Sequence, residues 1–172
     1  MCYFIAPKKL KNTVLLIFSL AFYWWGEPKY TILMLVTITF CYLAGLLTEK
    51  LRQTRFAKPL LVISVAVPLI FLGIFKYADF ILGSVGALTG ADIPLLKLAL
   101  PIGISFYTFQ CISYVVDVYR GDTKAQKNII RFGTYVAMFP QLIAGPIVRY
   151  VDVEADLADR KTTVEDFSGG LF

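Results

Sequence analysis

The 172-residue chain contains no histidine. That absence removes the commonest side-chain base at neutral pH, the commonest metal ligand and every Ser-His or Cys-His pair. Cysteine is scarce as well: Cys2, Cys41 and Cys111 lie far apart, two of them inside apolar runs. Neither a disulfide framework nor a metal cluster is expected from such a pattern. Charged side chains make up only 17% of the chain, and acids are thin over residues 1–149, with six against fifteen Lys and Arg. Residues 150–172 reverse this, with six acids and two bases. The cations sit at the ends of apolar runs and form no basic face with stacking aromatics, which argues against nucleic-acid binding and points to membrane sidedness. There is no internal repeat and no low-complexity tract.

Apolar residues are abundant. Hydrophobic side chains make up 58% of the sequence, aromatics 15%, and the mean hydropathy is +0.68. A soluble domain of this length has too little interior for them, so the fold class expected is an all-α polytopic membrane protein. Four to five apolar segments fall at about 12–26, 30–48, 59–75, 98–116 and 132–148, forming a membrane domain over 1–149. Residues 150–172 read as an acidic surface segment leading into a further, truncated element. The first run ends in Phe22, Tyr23, Trp24 and Trp25 before a Glu27-Pro28-Lys29 turn, which is an interfacial aromatic belt and not the small-residue cleavage site of a signal peptide.

The run 30–48 is nineteen residues long, close to the ~20 that cross a bilayer core. Its Thr31, Thr37 and Thr39 suit hydroxyls that bond back to their own helix. Pro68 should kink the third run, and Lys76-Tyr77-Ala78-Asp79 should close it. The apolar stretch 80–91, weakened by Gly83, Gly86 and Gly90, reads as interfacial or re-entrant. Pro140, Gly145 and Pro146 break the fifth run, with Gln141 inside the break; irregular backbone at membrane depth is tolerated only where protein or water satisfies it. Eleven cations, in groups at 8–11, 50–58 and 120–131, mark the cytoplasmic side, against Lys29, Lys76, Lys97 and Arg149.

Residues 100–121, LPIGISFYTFQCISYVVDVYRG, differ from the other runs. Ser105, Thr108, Gln110 and Asp117 stand in an otherwise apolar segment, and hydrocarbon penalises an unpaired polar group by several kcal/mol. They should face protein, water or ligand, and function is expected there.

Taken with FYWWGEPKY at 22–30, FKYADF at 75–80 and MFPQLIAGPIVRY at 138–150, this stretch resembles the membrane-bound O-acyltransferase (MBOAT) family, most closely its alginate O-acetyltransferase branch. The four motifs occur in the same order and cover essentially the whole chain. The resemblance implies the N-terminal portion of an enzyme that moves an acyl group, acetyl in that branch, to hydroxyls of an exported polysaccharide such as alginate. It implies no bound cofactor, an acyl donor (acetyl-CoA or an acyl carrier) as co-substrate, and the bacterial inner membrane as location. Its partners would be the lipid bilayer, a polysaccharide acceptor, a missing C-terminal half and accessory acetylation proteins.

Ser105, Tyr107, Gln110, Gln141 and Arg149 are the residues that the resemblance offers for lining a substrate tunnel. The family's base is a histidine, which this chain lacks, so no catalytic residue is assigned and the chain alone is expected to be inactive. Asp117 is a conceivable substitute, but beside Tyr119 and Arg120 at a membrane boundary it reads more simply as an ion-pair or helix-end residue. A non-enzymatic transport or assembly subunit, and an inactive remnant, remain open as alternatives.

Overall fold

The charge-free runs become helices in the computed structural model, which describes residues 10–90, 94–96, 100–138 and 148–158, with side chains in the last stretch as far as 154. The order is α1 (Lys11–Gly26), α2 (Pro28–Leu51), α3 (Ala57–Thr89), α4 (Ile104–Arg120), α5 (Ile129–Ala137) and α6 (Tyr150–Ala158). No strand occurs among the described residues.

Pro28 occupies the first turn of α2, where its missing N–H leaves no intrahelical bond unmade. All three threonines behave as their spacing suggests. Thr31 donates to the Glu27 carbonyl at 3.1 Å, Thr37 to Leu33 at 2.9 Å and Thr39 to Leu35 at 2.8 Å.

Two of the described helices, α2 and α3, are long and apolar enough to cross a bilayer. Most of the apolar surface of α3 is uncovered, including Val62, Ile63, Ile70, Phe71 and Ile74. A core helix of a soluble protein would bury that surface, so lipid is its natural cover and the molecule is a membrane protein. Helices α1 and α4, of 16 and 17 residues, rise only about 25 Å against a hydrocarbon core of ~30 Å.

The separate element expected over 80–91 does not form. Helix α3 runs through Lys76-Tyr77-Ala78-Asp79 without a break and stops at Thr89, with Gly90 left-handed at φ 69°. Isolated glycines such as Gly83 and Gly86 cost a helix only about 1 kcal/mol each, and no proline interrupts after Pro68. The fourth run starts its helix at Ile104, later than expected. The described part of the fifth run is helical over Ile129–Ala137, and its Pro140, Gln141, Gly145 and Pro146 lie outside the described residues.

The core is built around α4, which packs on α2, α3, α5 and α6. Met34, Ile38 and Cys41 of α2 meet Cys111, Tyr114 and Val115 of α4, while Phe132, Tyr135 and Val136 of α5 close the far side. The acidic surface segment expected from residue 150 opens instead as helix α6, and its first residue is not at the surface: Tyr150 is fully buried, edge-on to Tyr114 at 5.1 Å and Tyr135 at 5.3 Å.

Candidate functional site

Helix α4 is held at both ends by contacts distant in sequence. At its start Pro101 is buried and Gly103 is left-handed at φ 73°. Tyr23 donates its hydroxyl to the Ile102 carbonyl at 2.8 Å, and the Ile102 N–H donates to the Glu27 carboxylate at 3.1 Å. The end of α1 and the following turn thus grip the peptide that leads into α4. In mid-helix Gly45 of α2 lets Tyr114 lie flush: a Cβ there would come within 2.5 Å of the ring.

Tyr107, Gln110, Tyr114 and Asp117 recur every three or four residues and so share one face of α4. All four are buried. Among the described residues, the Tyr107 hydroxyl, Gln110 Oε1 and Asp117 Oδ2 are buried atoms with no hydrogen-bond partner, as is Thr48 Oγ1 on α2. An unsatisfied buried group costs about 1–3 kcal/mol, so three on one helix face mark a stripe whose hydrogen-bonding capacity is unspent.

The other end of α4 is an ionic knot. Asp117 Oδ1 accepts from Arg149 Nη2 at 2.5 Å, Asp122 lies 3.7 Å from the same nitrogen, and Arg120 reaches Asp122 at 3.5 Å. The Asp117 hydrogen bond, then its charge, raises the Arg149 guanidinium further above an already high value. Asp117 is therefore an ion-pair residue, with Arg149 and not Arg120 as its partner.

Beside the knot, Gln126 joins three elements. Its N–H donates to the Tyr114 hydroxyl at 2.9 Å, its side-chain nitrogen to the Tyr150 hydroxyl at 2.6 Å, and its Oε1 accepts from the Asn128 N–H at 3.0 Å. Burial pushes the Tyr150 hydroxyl up, opposed by the bond from Gln126. Tyr135 donates to the Val148 carbonyl at 2.8 Å, and Thr123 to Glu154 at 2.8 Å, fixing the chain on both sides of Arg149.

The four described residues among the five offered for the site do not converge on one point. Tyr107 and Gln110 are neighbours on the polar stripe, and Ser105, half-buried, begins the same helix. Arg149 stands at the opposite end, beside Asp117, ten residues and about 15 Å along the axis from Tyr107. Gln141 lies outside the described residues. Glu27, which the sequence marks only as a turn residue, also shapes the region, as do Thr48 and Gln126, which no local pattern marks.

Chemically, the stripe can accept and donate hydrogen bonds to a polar guest. It holds no free base beyond a carboxylate already committed to an arginine, and no cluster of metal-ligating side chains occurs among the described residues.

No protein-family model matches the chain, and no solved structure matches it. Among curated proteins it is 40% identical over 173 residues to the "Probable alginate O-acetylase AlgI" of Pseudomonas aeruginosa, covering 98% of this chain and 33% of that protein. The protein of the same name from Azotobacter vinelandii is 38% identical, covering 98% of this chain and 35% of its own length. The "Peptidoglycan O-acetyltransferase" of Helicobacter pylori is 28% identical, covering 99% and 38%. The chain thus spans about a third of the length of the curated relatives it matches.

Proposed function

We propose that this chain, homologous over 98% of its length to a third of the alginate O-acetylases, is the membrane-scaffold part of a polysaccharide O-acetyltransferase. In this reading α4 forms one wall of the path that an acetyl group takes across the membrane, and Ser105, Tyr107 and Gln110 line it. Arg149, held by Asp117, stands at the far end of that wall, and Gln141 is a further candidate for the same path. The donor, acetyl-CoA or an acyl carrier, enters from the basic side, and the acceptor is an exported polysaccharide such as alginate. The setting is the bacterial inner membrane, where accessory acetylation proteins complete the transfer.

The observation that carries this is the pairing of homology along 98% of the chain with a polar stripe on α4 that is buried and, among the described residues, unsatisfied. The proton transfer belongs to residues outside this chain, which has no histidine.

The test is a hybrid in which this chain replaces the matching third of the Pseudomonas aeruginosa protein. The hybrid should acetylate alginate in a strain lacking its own O-acetylase, while this chain by itself should transfer nothing. A hybrid that accumulates in the membrane yet leaves alginate unacetylated overturns the proposal.

A further inference from the structure

Helices α2 and α4 run parallel. At one end Glu27, just before α2, accepts from the Ile102 N–H, just before α4, at 3.1 Å. At the other, Arg52, just past α2, donates to the Arg120 carbonyl at the end of α4, also at 3.1 Å. Residues at matching depth therefore face each other along the seam between the two helices. The backbones come close there, because Gly45 offers no Cβ to the Tyr114 ring. About one turn before that contact stand Cys41 on α2 and Cys111 on α4, each near the middle of its helix.

The two cysteines are remote in sequence, and the fold brings them together. Both thiols are free and fully buried in the same apolar cluster as Met34, Ile38 and Val115. They lie close enough for one to hydrogen-bond the other. The surroundings decide what such a pair can do. A metal ion held between two thiolates, or a thiolate acting as nucleophile, places charge in an apolar interior, and neither helix carries a Lys or Arg within two turns of either cysteine to offset it. A disulfide is uncharged, as are the two thiols that form it.

We propose that Cys41 and Cys111 are an oxidisable pair whose disulfide locks α4 against α2, with a peroxide as the oxidant. Hydrogen peroxide is small and uncharged, so it enters an apolar seam at far lower cost than an ion. One thiol is oxidised by the peroxide to a sulfenic acid and releases one water. The second thiol then displaces the sulfenic hydroxyl, the S–S bond forms and a second water leaves. Two thiols and one peroxide thus give one disulfide and two waters. Water-borne thiol reductants do not reach a fully buried bond at mid-helix, so the lock persists until the helices part. The pair does not depend on the acyl-transfer reading.

The test uses the full chain carrying Cys2→Ser in phospholipid vesicles, which leaves only the two helical cysteines. After hydrogen peroxide, free thiols counted in denaturant should fall from two to none, and proteolysis should release the Cys41 and Cys111 peptides joined, two hydrogens lighter than the separate peptides. The joined chain should melt roughly 5 °C or more above the reduced one, because the link closes a long loop. Dithiothreitol should reopen the link roughly tenfold or more faster in denaturant than in the folded chain. With Cys111→Ala the same treatment should give neither a joined peptide nor a rise in Tm. Thiols that survive peroxide, sulfinic acid without a joined pair, a joined chain that melts no higher, or a link opened equally fast in both states overturns the proposal.

Discussion

Helices α2 and α4 both carry polar side chains in apolar surroundings, and they treat them in opposite ways. On α2, Thr31, Thr37 and Thr39 each return a hydroxyl to the carbonyl four residues earlier, so this stretch of the helix satisfies itself and can face lipid or protein alike. On α4, Tyr107, Gln110 and Asp117 keep atoms that the described protein leaves unsatisfied, although all three are buried. Polarity alone therefore does not mark a site in a membrane helix; polarity beyond what the local backbone can absorb does. By this criterion α2 is scaffold over Thr31–Thr39, with Thr48 its one exception among the described residues, and α4 is where a guest has most to bind.

The largest effect is expected where the two helices touch. Gly45→Leu drives a side chain into the Tyr114 ring, which is fully buried and held by Gln126, and should cost about 3 kcal/mol or more, read as a lost or sharply lowered Tm in detergent. A full-height transition in that variant would mean that the helices are not in contact as described.

Next comes the ionic knot at the end of α4. Arg149→Gln strands the buried Asp117 carboxylate, whereas Asp117→Asn removes the buried charge and leaves a half-exposed arginine facing Asp122. The first should lower Tm more than the second; the reverse order would show that Asp117 is not the desolvated partner.

A smaller effect, but a sharper one for the comparison, concerns Gln110. Gln110→Leu removes an unsatisfied amide from the interior and should leave the fold unchanged or steadier by about 1 kcal/mol, while acetylation by the hybrid enzyme falls. A loss of stability together with unchanged acetylation would make Gln110 a structural residue. Smallest of all, Thr39→Val on exposed α2 surface should shift stability by less than about 0.5 kcal/mol, because the lost hydroxyl served only its own helix.

Much of this was legible in the residue order. The helical runs, the back-bonded threonines and the ion-pair nature of Asp117 follow from spacing, hydropathy and position. The reach of α3 past Asp79 did not, because a Lys-Tyr-Ala-Asp step reads as a boundary by charge although every one of its residues tolerates a helix. The burial of Tyr150 was hidden for a different reason. It follows an arginine and precedes acids, a surface pattern, and its interior partners Tyr114 and Tyr135 are remote in the chain. Gln126 was equally silent, since a lone glutamine in a polar loop carries no sign of the three elements it joins.

Arg52 has a consequence for the order of assembly. Its guanidinium lies against Gly121, which has φ 89° and no side chain to resist it, and donates to the last carbonyl of α4, 68 residues further on. At a synthesis rate of ~5–20 residues per second, Arg52 leaves the ribosome roughly 3 to 14 seconds before its acceptor exists. During that interval α2 and α3 can enter the bilayer as a hairpin whose basic loop has nothing to hold. Arrival of the α4 terminus supplies the acceptor, so this one long-range bond can form only after the polar helix has been made, while Thr54 already ties the connection to Leu51.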